Sequence, residues 1–174
     1  MEPDTPVASL DRALIRINRW IVIAILAAMA VMVFANVALR FLTDHSILWV
    51  EEVSRYLMIW LTFLGAGLVL RYGGHIGIDT LQGALPRHAV WIRLAIYALL
   101  LVFFAMMLWL AARYSMVTWG QTTPVMGIPI GAVYLAMPIG FGLLIVHLVL
   151  MTVPYLRQGQ FLADAEFDAD AAKL

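Results

Sequence analysis

Three charges open a long apolar run. In the stretch WVEEVSRYLMIW, residues 49–60, Glu51 and Glu52 are adjacent, and Arg55 follows at the two spacings, four and three, at which side chains on one helix meet. One carboxylate can pair with the guanidinium, and the other is left over. A spare acid of this kind can contact another helix or headgroup amines, or make a salt bridge to another subunit. It can also hold a coupling ion or proton, since acids inside membranes mark ion paths. Beneath the charges, Met58, Thr62 and Gly65 continue the line from Glu51 and Arg55 at helical spacing. Small residues let helices approach closely and hydroxyls bond across the contact, so this stripe is expected to face protein rather than lipid.

His147 is the one ionisable group deep in the last apolar stretch. A b-type haem would need axial histidines on facing helices at matching depth, whereas His45, His75 and His88 fall in or beside expected loops. A hydrogen bond to a neighbouring helix is the expectation for His147. Nothing in the chain pairs a nucleophile with a base, forms a phosphate-binding loop or clusters metal ligands. No enzyme activity, cofactor or metal is therefore expected.

The elements that must position these residues follow from composition. Of the 174 residues, 64% are hydrophobic and 13% charged, against roughly 45–50% and 25% in soluble domains. The chain is a membrane protein. A formal net charge of zero argues against a nucleic-acid partner, and the lack of cysteine excludes disulfides and thiolate metal sites.

About 20 apolar residues carry a helix across a hydrocarbon core of roughly 30 Å, and spans are expected at 20–41, 50–71, 91–114 and 127–155. The fold class is thus an all-α integral membrane protein with four transmembrane helices in a single domain. Arg12, Arg16, Arg19, Arg71, Arg87, Arg93, Arg157 and Lys173 gather on one side of that arrangement, which puts both termini in the cytoplasm. Ala28-Met29-Ala30 has the form of a signal-peptidase site, but the apolar run continues past it to Leu39, and Asp4 and Asp11 dilute the basic start.

Between the spans, short surface helices are expected. Residues 1–19 are expected to form either an amphipathic segment, with Arg16, Arg19 and Trp20 anchoring it at the membrane surface, or a simple cytoplasmic extension of the first span. The connection 72–90 carries a short helix that Asp79 or Thr80 can cap, and Arg71, His75 and Asp79 are read as contacts to lipid headgroups. Pro138 cannot donate to the Tyr134 carbonyl, so a kink is expected in the last span. The tail 160–174, rich in aspartate and alanine, is expected to be disordered.

These residues together resemble a known family. Glu51, Glu52, Arg55, Trp60, Gly65, Arg71, His75 and Asp79 look like the signature of the small membrane subunit (DctQ-like, Q subunit) of TRAP transporters. The stretch TTPVMGIPIGAVYLAMPIG, residues 122–140, is similar to that family's passage into its last helix. One departure is Gly131, where the family pattern implies a bulky aromatic after the proline.

The resemblance implies a multi-pass protein of the bacterial inner membrane. It implies a small permease subunit of a sodium-driven, binding-protein-dependent importer of carboxylate-bearing solutes. The implied partners are a large TRAP membrane subunit carrying the substrate and sodium sites, a periplasmic solute-binding protein and membrane lipids. The small subunit would be a fixed scaffold, with Glu51, Glu52, Arg55, Thr62 and Gly65 as its partner contacts. The alternative is a membrane-anchor or haem-bearing subunit of a respiratory enzyme.

Overall fold

A computed structural model describes residues 6–71 and 89–152. The expectations for His75, Asp79, the surface helix of the connection and the tail lie outside the described residues.

Helix α1 spans Pro6–Thr43, α2 Leu48–Arg71 and α3 Ala89–Val117; a 3-10 turn, Thr118–Gly120, ends the third, and α4, Ile130–Tyr134, leads into α5, Ala136–Leu150. Among the described residues, four helical stretches are long and apolar enough to cross a membrane: Ser9–Thr43, Leu48–Arg71, Val90–Gly120 and Ile130–Leu150.

The first helix starts well before residue 20. No glycine or proline interrupts residues 7–41, and the N-terminal segment and the span form one helix of 38 residues. At 1.5 Å per residue that is about 57 Å, nearly twice the hydrocarbon thickness. It stops at Asp44, which takes the left-handed conformation at φ 55° while its N–H bonds the Arg40 carbonyl. A single residue in that conformation satisfies an end carbonyl and turns the chain.

The last span runs on through Leu135, which keeps helical dihedrals and whose N–H bonds the Gly131 carbonyl; one helical bond is missing just beyond it, because Pro138 cannot serve the Tyr134 carbonyl.

The long helices stand in a row: α1 packs on α2, α2 on α5, and α5 on α3, with no other long pair packed to any extent among the described residues. The apolar centre lies on the three-helix side. Leu70 of α2, Phe104 of α3, and Leu144 and Leu148 of α5 are buried together, with Tyr97, Leu100, Phe141 and Ile145 against them. Phe63 meets Phe141 edge-on at 5.8 Å between ring centres. Glycine permits the close approach of α2 and α5, since a Cβ on Gly140 would stand 2.6 Å from that of Phe63. By contrast, the only α1 residues buried among those described are two asparagines, Asn18 and Asn36.

Candidate functional site on the second helix

Helix α2 sits inside the row, and its faces do different work. At its first turn the two glutamates part company. Glu51 and Arg55 are exposed, whereas Glu52 is only 1% exposed. No ion pair joins either glutamate to Arg55 among the described residues. Glu52 instead accepts from the Tyr56 hydroxyl at 2.7 Å and from the Val125 N–H at 2.8 Å. Its expected role as a partner contact therefore needs correcting, because its two oxygens are engaged within the chain and it has almost no surface to offer.

The expected stripe turns away from this bundle. Glu51, Arg55, Met58 and Thr62 are exposed, and a Cβ placed on Gly65 would meet open space. Thr62 returns its hydroxyl to the Met58 carbonyl of its own helix at 2.8 Å, which leaves its methyl and lone pairs outward. Near the head of the stripe, Glu51 and Val50 share a cavity of about 100 Å³ with Val33, Asn36, Val37 and Arg40 of α1.

At the other end of α2, Arg71 is 3% exposed and not among headgroups as expected. Its guanidinium forks onto the Asp11 carboxylate of α1, with Nη1 to Oδ2 at 2.8 Å and Nη2 to Oδ1, and its Nε donates to Nδ1 of His147 at 2.6 Å. An always-charged group with five donors turns inward when a carboxylate and a ring nitrogen meet its fork. His147 is fully buried against Gly67, where an added Cβ would lie 2.5 Å from the ring. Because Nδ1 accepts from a guanidinium, the hydrogen of a neutral ring lies on Nε2, and that atom finds no partner among the described residues. Arg16, Arg19 and Trp20, by comparison, are exposed on α1.

Sequence reasoning missed the partners that complete these contacts. Asn18 donates to the Leu64 carbonyl at 3.0 Å, and Asn36 accepts from the Ile47 N–H at 2.7 Å. Together with Asp11 and Arg71 these pins fix an antiparallel register. Asp11 to Asn18 and Arg71 to Leu64 are both 7 residues, and the intervals onward to Asn36 and to Ile47 are 18 and 17. A usable signal is present in the sequence: Asn36 is a lone polar residue in the apolar run 20–39, and Asp11 and Asn18 lie seven apart, two helical turns, in the same helix.

The outer corner explains Gly131. It is buried, and a Cβ there would press on the Ser115 carbonyl and come within 2.9 Å of the Trp119 ring. An aromatic does occupy this corner, but it arrives from the end of α3.

Comparison with known sequences places this geometry. Residues 29–158, 130 of the 174, match the family described as "Tripartite ATP-independent periplasmic transporters, DctQ component". The chain belongs to the DctQ family. It is a multi-pass protein of the bacterial inner membrane, and membership displaces the respiratory-anchor alternative.

Among DctQ-family relatives, the ectoine TRAP transporter small permease protein TeaB of Halomonas elongata is 34% identical over 116 residues, covering 65% of this chain and 60% of TeaB. A putative TRAP transporter small permease protein of Haemophilus influenzae is 47% identical over 64 residues, 37% of this chain and 40% of that protein. The isethionate TRAP transporter permease protein DctMQ of Oleidesulfovibrio alaskensis is 30% identical over 106 residues, 58% of this chain and 16% of its own length. The aligned segment thus spans 60% and 40% of the first two relatives.

Proposed function

We propose that this chain is the small permease subunit of a sodium-driven, binding-protein-dependent importer, and that it serves as a fixed scaffold for the large transport subunit. The observation that carries the reading is the open face of α2. Glu51, Arg55, Met58, Thr62 and Gly65 form an outward line of polar and small residues on a helix set inside the row. Acyl chains offer no partner for such groups, whereas another helix does. The much longer DctMQ relative, of which the matched segment is 16%, is consistent with a small and a large part working side by side.

The solute class follows from analogy. The ectoine named for one relative bears a carboxylate and the isethionate named for another bears a sulfonate. We therefore assign small organic solutes with an acid group, the carboxylate-bearing ones first. The binding protein would deliver them on the side where Glu51 lies, with both termini of this chain in the cytoplasm.

Gly65→Leu tests the scaffold role, because a Cβ added there meets nothing within 4 Å among the described residues. Its own thermal stability in detergent should be unchanged. Co-purification of the large subunit should fall about tenfold, equivalent to about 1.4 kcal/mol. Full recovery of the large subunit with Gly65→Leu, and likewise with Glu51→Gln, would remove the stripe from the interface.

A further inference from the structure

The connection between α3 and α4 is short, yet it is built with unusual care. Gln121 accepts from the Ile130 N–H at 2.8 Å, the Thr123 N–H bonds the Ile128 carbonyl at 2.9 Å, and the Gly127 N–H bonds the Thr123 carbonyl at 3.1 Å. Gly127 stands at φ 66°, where a side chain would be strained. The result is a closed hairpin with Val125 and Met126 at its tip, 51% and 44% exposed.

Glu52 lies under that tip. One carboxylate oxygen takes the Val125 N–H, the other takes the Tyr56 hydroxyl from one turn along α2, and the Thr123 hydroxyl and Met126 N–H lie close by. Thr123 accepts from the Ile128 N–H through the same hydroxyl at 3.1 Å, so it can relay the hairpin's own bonding onto Glu52. Taking a carboxylate out of water is costly unless donors converge on it. A loop that only connected two helices would leave these N–H groups to water and need no buried acid.

We infer that Glu52 is a positioning residue for transport: its carboxylate locks the hairpin 121–130 to the head of α2, so that the transporter presents Val125 and Met126 in one fixed arrangement. The neighbouring Glu51 has no part in this lock. Transport is the activity proposed above, and the test separates the two claims by reading the loop directly.

In the purified transporter, amide hydrogen exchange across residues 118–130 is compared for the natural chain, Glu52→Gln, Thr123→Val and Glu51→Gln. Because a bond to a charged acceptor is lost, exchange at Val125 should quicken about tenfold in Glu52→Gln, less in Thr123→Val, and not at all in Glu51→Gln. Solute uptake should fall in Glu52→Gln and less in Thr123→Val, with the large subunit still co-purifying in normal amount in both; Glu51→Gln, which lies in the stripe, is the control for loop exchange alone. Glu52→Asp guards against a simple failure to fold, since it keeps the charge and should restore part of the protection. Exchange in Glu52→Gln equal to that of the natural chain overturns the lock. Quickened exchange with undiminished uptake overturns the positioning role, and loss of the large subunit with unchanged exchange assigns Glu52 to the partner interface instead.

Discussion

The two seams of α2 are held by different physics. Toward α5 and α3 it buries leucines and packs rings, with glycines at the points of closest approach. Toward α1 it buries no large apolar side chain from that helix, only Asn18 and Asn36, and Asp11 reaches across to Arg71. In lipid, apolar contact gives helices little reason to prefer each other over acyl chains, so hydrogen bonds and close packing must do the work. The three-helix seam uses packing, which fixes distance. The α1 seam uses polar pins, which fix register.

That contrast can be broken most severely at Arg71. Arg71→Leu strands the Asp11 carboxylate and removes the donor to His147, and breaking a buried pair from one side costs about 3–5 kcal/mol. The loss seen by thermal unfolding in detergent should exceed that from Gly140→Leu or from any change at Asn18 or Asn36. Arg71→Lys should fall between the natural chain and Arg71→Leu, since one ammonium cannot reproduce a fork plus an Nε bond.

On the packed seam the matching change is Gly140→Leu. Its Cβ alone would stand 2.6 Å from the Phe63 Cβ and 2.9 Å from the Phe63 carbonyl oxygen. Overpacking of this kind costs about 1–3 kcal/mol. The same melting measurement should register it, and Gly65→Leu on the open face should not.

The smallest effect belongs to a single α1 pin. Hydrogen bonds between membrane helices average about 0.6 kcal/mol and reach about 1.7, so Asn18→Leu should scarcely move the melt. Its consequence should be slippage. The chain has no cysteine, so a pair introduced at Val33 and Val50, which line one cavity, reports register through crosslinking yield. Yield should drop in Asn18→Leu combined with Asn36→Leu, while α2 stays packed on α5.

Much of this is legible in the chain alone. The four spans follow from apolar length, because a bilayer demands about 20 residues and satisfies no exposed backbone. The stripe from Glu51 to Gly65 also follows, being a matter of 3.6-residue periodicity. What periodicity cannot give is the identity of a partner far along the chain. Arg71 reads as a headgroup anchor because it ends a span, and Glu52 reads as the twin of Glu51. Both are buried, for reasons that lie 60 and 73 residues away at Asp11 and Val125.

The sequence by itself thus determined that this chain spans the membrane four times, and which residues share a helical face. Only tertiary structure decided which charges turn inward. A buried charge is stable when its donors or acceptors converge in space, and convergence is a property of the assembled row that no local spacing contains.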